Sequence, residues 1–493
     1  MKYLRKNVLS SAVAYALPLI AALLSIPLLV MHLGTDLYGL YTVCLSLLGF
    51  MALVDFGMGQ AVIRYVADYE AKEQRNQIQP LLGMAYSMYL LIGLLGAGIL
   101  YMAAPWLAVG LYREDSGQQL LAQSVLQITA IPLLFSYVNQ FFLSICKAYH
   151  RFDWPALIHN GAHLGGILLA ALLVVIGQPL PIVLWGYAFT HALALLAGYR
   201  AARVILPKDI RLVPTWHLSM PAGVWGFSAY TFLGNLVGVL TSRGDKVAVG
   251  ILLGTEAVTY YQIPYTIAQM ANGVMHSLTQ ITLPRFTELL GNKQHSALGL
   301  LYRQVLDAGF ILSMTIAVLL VTTGEVFLTW WISPEMAEKA YPVLVVMAGY
   351  FFLQSNTLVS YWVLQGAGMA RLTAGVAVLD ATVYAVALYY LSSYYGYIGA
   401  AVALFFLLLG TFLQYYWVVE RVGCSYQAHL FRLLGFGVIT VGASYAMMSA
   451  GAWLALPPLA YLAVNVSLIF VLVLGGGGLC WYWYYRSRLA TSK

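Results

Sequence analysis

The chain has 493 residues, of which 61% are hydrophobic and only 9% charged, with a net charge of +7. A soluble globular protein carries roughly 25% charged residues, so a soluble fold is excluded. Spans of about 20 apolar residues, each crossing a hydrocarbon core of ~30 Å, fill nearly the whole chain and leave no room for a separate catalytic domain.

The first apolar stretch, Leu9 to Met31, is longer than the apolar core of a signal peptide and has no small-residue cleavage pattern after it, so it reads as a retained helix. Apolar windows then place spans near 9–31, 37–62, 81–103, 120–146, 155–177, 181–199, 221–252, 257–283, 299–322, 341–365, 372–391, 396–418, 432–450 and 457–484. This is an all-α polytopic membrane protein with about fourteen transmembrane helices. The seventh window is too long for a straight crossing and contains Pro221, Gly223, Gly226, Gly234, Gly238 and Gly244, which predicts a bend or break.

With both termini placed in the cytoplasm, all but four of the 25 Lys and Arg residues fall on the inner side. Arg113 and Lys339 fall outside, and Arg243 and Lys246 fall within the seventh span. The positive charge is therefore mostly topology and gives no reason to expect nucleic acid as a partner. None of the four cysteines lies in a predicted external loop, so no disulfide framework is implied.

Leu33-Gly34-Thr35-Asp36 recurs 220 residues later as Leu253-Gly254-Thr255-Glu256; Tyr41 matches Tyr261, and Gln60 matches Gln280. Spans 1–6 and 7–12 then read as two pseudo-symmetric six-helix lobes. Six crossings return the chain to its starting side, so the copies are parallel and a substrate path is expected between them. The division is residues 1–205 for the first lobe, 206–220 for a basic cytoplasmic linker, 221–420 for the second lobe, and 421–493 for two added helices and a tail.

Three charges in four residues, Arg243, Asp245 and Lys246, lie within the bilayer, where each would cost ~2.5–3.5 kcal/mol on a lipid-facing helix. They are expected to face a wet cavity. At 100° per residue Asn235 shares a face with Ser242 and Lys246. Either the two cations meet an anionic ligand, or they snorkel to the interface, or Asp245 neutralises one of them in a stabilising pair. Span 8 carries a second stripe of Gln262, Gln269, His276 and Gln280, suited to ligand contact or to hydrogen bonding between helices. Arg64, Lys147, Arg151, Arg285 and Arg371 ring the predicted inner mouth. Asp55 and Asp380 are isolated intramembrane carboxylates, suited to ion coupling or to a protonated helix contact. His159 and His163 have the spacing of a two-histidine metal pair, but no accompanying Glu or Cys, and read as a satisfied pair; no metal is expected. There is no nucleotide-binding loop and no zinc spacing, and the longest external loop, roughly 323–340, is too short to house catalytic residues, so no enzyme is expected.

Leu33-Gly34-Thr35-Asp36-Leu37-Tyr38-Gly39-Leu40-Tyr41, Leu53-Val54-Asp55-Phe56-Gly57-Met58-Gly59 and Ala61-Val62-Ile63-Arg64-Tyr65-Val66-Ala67 together resemble the N-terminal signature of Wzx-type polysaccharide flippases. Arg243-Gly244-Asp245-Lys246-Val247-Ala248-Val249-Gly250 is similar to that family's seventh helix. The family belongs to the superfamily that also holds multidrug exporters and lipid II flippases. The resemblance implies transfer of an undecaprenyl-diphosphate-linked oligosaccharide, such as an O-antigen repeat unit, across the bacterial inner membrane by ion-coupled alternating access. It implies a proton or sodium gradient rather than a bound cofactor, membrane lipids around a monomer, and cooperation with a polysaccharide polymerase and a chain-length regulator. Arg243, Lys246, Asn235, Gln269, His276 and Gln280 would then contact the diphosphate and glycan, with Asp55, Asp245 and Asp380 available for coupling. A lipid II flippase and a multidrug antiporter are the alternatives.

Overall fold

The computed structural model describes residues 2–50, 58–113, 115–207, 209–215, 224–292, 294–367, 369–422, 457 and 460–462. Predicted span 13, span 14 apart from 457 and 460–462, Asp55, Pro221 and Gly223 lie outside the described residues, as do the side chains of Asn235, His276 and Gln280.

The described residues are mostly helical, with no strand among them, and helix occupies most of the described part of each of the first twelve predicted spans. With no water to satisfy backbone N–H and C=O groups in a bilayer, a spanning chain must bond to itself, and an α-helix does so within one segment. Chain order gives α1 (Lys2–Gly49), α2 (Met58–Ala71), α3 (Arg75–Leu111), α4 (Ser116–Ala148), α5 (Asp153–Val175), α6 (Leu180–Ile205) and α7 (Val224–Leu253). Then follow α8 (Thr255–Ala268), α9 (Met270–Gly291), α10 (His295–Trp331), α11 (Pro334–Gly366), α12 (Ala370–Ala403) and α13 (Thr411–Val422). Eight described stretches are long and apolar enough to cross a membrane.

Two sequence expectations are corrected. The break predicted in the seventh span is absent from Val224 to Leu253: α7 runs unbroken through Gly226, Gly234, Gly238 and Gly244. A glycine costs a helix only ~1 kcal/mol, less than an unmade backbone hydrogen bond in hydrocarbon. The eighth span instead divides at Gln269 into α8 and α9.

The chain forms two compact units, residues up to Thr259 and residues from Tyr260 onward. In the first, α4 packs against α3, α6 and α2, α5 against α6 and α1, and α7 against α1, α2 and α3. Its core is built from Val62, Ile78, Leu82, Tyr89, Phe141 and Ile145, all buried, with the rings of Tyr86 and Phe141 stacked at 5.0 Å. The α4–α6 contact depends on Gly198, where a Cβ would lie 2.0 Å from Asn139 Oδ1. We expect Gly198→Ala to cost about 1–3 kcal/mol by overpacking, read as a lower melting temperature of the detergent-solubilised chain. An unchanged melt would mean that the two helices part freely.

The stretch after α6 is tied to the start of α3. Gln79 exchanges two hydrogen bonds with the Arg211 backbone, at 2.8 and 2.7 Å, and Thr215 N–H donates to the Gly83 carbonyl at 3.1 Å.

In the second unit α11 is central, packing on α9, α10, α12 and α13. Its polar side chains are spent on neighbours: Ser360 pairs with Tyr302 at 2.7 Å, Asn356 donates to Ser313 at 3.2 Å, and Gln354 accepts from Asn272 at 2.9 Å.

Large apolar side chains also point outward. Leu95, Ile99, Met102 and Trp106 form one exposed stripe on α3, with Trp106 80% exposed. Such a face is stable only against lipid, and the tryptophan suits the headgroup level. The protein is a multi-pass membrane protein.

Candidate functional site

The intramembrane trio on α7 separates into two parts. Lys246 Nζ lies 2.9 Å from both carboxylate oxygens of Asp245 and donates to the Ser242 carbonyl at 2.8 Å. Both residues are 1% exposed. In this conformation Lys246 offers no surface to a ligand. Two charges removed from water repay their desolvation only through close geometry and full hydrogen bonding, which the pair has. Arg243 is the member of the trio that is open. Its stem lies along Gly49 of α1, where a Cβ would meet Nε at 2.9 Å. It makes no ion pair with a described carboxylate.

The face that accompanies Arg243 comes from α5 and α6. On α5, Leu157, Leu168, Leu172 and Val175 are exposed along one arc, while His159 and His163 are exposed on another, roughly 160° round the helix. Apolar side chains open on one side and imidazoles on the other indicate lipid against the first and water-accessible space against the second. His163 Nδ1 is 3.4 Å from the Tyr187 hydroxyl, and the Tyr187 ring stacks on His191 at 4.7 Å. Gly166 allows this approach, since a Cβ there would lie 2.5 Å from the Tyr187 ring. Arg243 lies within electrostatic range of both His163 and Tyr187. The arrangement is an exposed guanidinium within electrostatic range of an exposed imidazole, groups able to accept an anionic ligand.

The two copies of the Leu-Gly-Thr motif meet where α1 kinks at Gly34 and α7 ends at Leu253. Gly34 and Gly254 have φ of +77° and +90°, so both copies break their helix at a glycine in the left-handed region. Asp36 accepts from Thr255 and, at 2.9 Å, from the Tyr112 hydroxyl. Thr259 donates to the Thr35 carbonyl, and Arg113 to the Ile251 carbonyl at 3.0 Å. Gly39 permits the approach: a Cβ there would lie 1.8 Å from the Thr255 carbonyl oxygen.

The other predicted residues are placed as follows. Of the inner-mouth cations, Arg64, Arg151, Arg285 and Arg371 are exposed and Lys147 is half-buried. Arg151 pairs with Asp153 at 2.9 Å and Arg285 with Glu288 at 2.7 Å, exposed pairs worth ~0–1 kcal/mol that leave both cations available. Gln269 is exposed at the α8–α9 junction, while Gln262 donates to Thr266 of its own helix at 2.8 Å. The span 8 stripe is therefore partly spent within the protein. Asp380 is buried and accepts the Gly410 N–H at 2.8 Å, holding the turn before α13.

The sequence reads His159 and His163 as a satisfied pair; in the structure both are exposed on the side of α5 away from its apolar arc, and His163 meets the Tyr187 hydroxyl. Sequence reasoning found no role for Thr255, Thr259 or Tyr112, although the repeated motif already marked the place where they meet.

An apolar, lipid-facing helical scaffold with an exposed arginine on α7 defines a multi-pass helical membrane protein. Residues 4–290 match the family described as polysaccharide biosynthesis protein, and the chain belongs to that family. A relative in Shigella flexneri, described as "Putative O-antigen transporter", is 19% identical over 432 residues, covering 86% of this chain and 99% of that protein. An uncharacterized membrane protein of Methanocaldococcus jannaschii is 18% identical over 360 residues, covering 71% of each. Among solved structures, the lipid II flippase MurJ in an inward closed conformation superposes with a TM-score of 0.73 at 12% identity, covering 98% of this chain and 100% of that one. An inward-facing MATE-family multidrug transporter gives 0.67 at 13% identity, covering 84% and 98%. The chain thus has the fold of these transporters and belongs to a polysaccharide biosynthesis family.

Proposed function

We propose that this protein flips an undecaprenyl-diphosphate-linked oligosaccharide, an O-antigen repeat unit or a related surface glycan, from the cytoplasmic to the periplasmic leaflet of a bacterial inner membrane. The observation that carries the reading is the exposed Arg243 within electrostatic range of His163 on α5. Arg matches a phosphate with two parallel hydrogen bonds, and His159 and His163 add donors for the second phosphate or the first sugar. In this reading Arg64, Lys147 and Arg151 on the first unit, and Arg285 and Arg371 on the second, are the loading cations, and Gln269 contacts glycan. An inside-negative potential favours outward movement by about 2.3 kcal/mol per negative charge per 100 mV. A multidrug antiporter for organic cations fits this face poorly, because a cation there would meet Arg243 rather than an open carboxylate.

Alternating access then requires the Asp36–Thr255 clasp to open in every cycle. In a chain freed of its native cysteines, with one reporter cysteine replacing Leu37, the pair Asp36→Asn and Thr255→Val should speed labelling by a membrane-impermeant maleimide several-fold. Equal rates with and without the pair of substitutions would remove the clasp from the gate.

The reading also assigns both termini to the cytoplasm, a proton or sodium gradient as the drive, a monomer as the working unit, and a polymerase with its chain-length regulator as the recipients of the glycan. Everted vesicles loaded with a fluorescent diphosphate-linked oligosaccharide test the core of it. Uptake should need the protein and fall when the gradient is dissipated. Uptake of lipid II in preference to the glycan carrier would favour a lipid II flippase instead.

A further inference from the structure

The outer face of the first unit holds a groove that transport of a head group leaves unused. It has a volume of about 290 Å³ and is lined by Trp154, Leu157 and Ile158 from the start of α5 and by Ala197, Arg200 and Val204 from the end of α6. Its walls are apolar, with Leu157 76% and Val204 74% exposed. A cation stands in the wall of this otherwise apolar groove: Arg200 is exposed and makes no hydrogen bond or ion pair with any described residue. Near it, the Arg151 guanidinium lies 4.3 Å from the Trp154 ring centroid and pairs with Asp153 at 2.9 Å.

We infer that this groove binds an anionic glycerophospholipid, with one acyl chain between α5 and α6 and the headgroup phosphate on Arg200. Apolar walls for a chain, an unengaged guanidinium for a phosphate and an indole at the interface are the three elements such a ligand requires. The carboxylate of Asp153 does not oppose this, because Arg151 holds it. The occupant is a bilayer phospholipid and not the polyprenyl tail of the cargo. Leu157 belongs to the lipid-facing arc of α5, the side of the helix away from His159 and His163.

Native mass spectrometry of the full chain, titrated with phosphatidylglycerol and with phosphatidylcholine, tests the site. The parent should hold one phosphatidylglycerol about tenfold more tightly than phosphatidylcholine, the worth of one charge-assisted hydrogen bond. Arg200→Gln should abolish the preference, Ala197→Trp should abolish the adduct by filling the groove, and Arg211→Gln should change neither. If Ala197→Trp does not fold, photoactivatable phosphatidylglycerol on the unmodified chain should still label 154–158 and 197–204. Parent-like adducts in Arg200→Gln, labelling elsewhere, or displacement of phosphatidylglycerol by equimolar undecaprenyl phosphate would overturn the assignment.

Discussion

Replacing Arg243 by Gln should abolish surface polysaccharide while leaving the amount of protein in the membrane unchanged. The guanidinium is exposed and bridges no described carboxylate, so its loss leaves no partner charge stranded, and the fold has little reason to suffer. What disappears is a charge-assisted contact worth about 1.5–3 kcal/mol to a bound diphosphate, more than tenfold in the occupancy of the loaded state. Arg243→Lys should restore transport only in part, because an ammonium supplies the charge without the planar fork. Quantifying surface glycan and membrane-inserted protein in the same cells separates the two effects. Normal glycan in Arg243→Gln would sink the assignment of this residue.

Three positions along the same helix, the opposite behaviour is expected. Lys246→Met should deplete folded protein, because it leaves the Asp245 carboxylate buried with its main partner gone. Breaking a buried pair from one side costs about 3–5 kcal/mol, whereas replacing both partners by apolar or neutral groups of similar volume is close to neutral. Asp245→Asn combined with Lys246→Met should therefore recover much of the folded protein that Lys246→Met loses, as judged by monodisperse elution and melting temperature in detergent. If Lys246→Met alone were as stable as the parent, the pair would not be structural. If the stable double variant also lost transport, Lys246 would have to leave Asp245 and reach the substrate at another stage of the cycle.

The contrast between Arg243 and Lys246 shows where sequence reading stops. Their spacing marks both as intramembrane charges, and their cost in hydrocarbon says that both need company. Which one Asp245 takes depends on rotamers and on the packing of α1 against α7, including the gap left by Gly49, and no periodicity records that. The histidines of α5 pose the same problem: an i, i+4 pair is legible, but whether it faces a neighbouring helix or open space depends on what α1 and α6 cover. Gln262, by contrast, turned to a hydrogen bond within its own helix, one of the two uses that the span 8 stripe allowed.

The sequence alone determined the helical membrane-spanning class and the family. These follow from hydrophobic run length, the obligation of backbone groups to bond within the segment, and motifs that local backbone geometry demands, as the positive φ of Gly34 and Gly254 shows. Only the tertiary structure decided that α7 packs with α1, α2 and α3, that it is not broken, and that of its two cations one is locked to a carboxylate and one is left open. Those outcomes depend on contacts between residues far apart in the chain, where burial and geometry decide whether a charge serves the fold or a ligand.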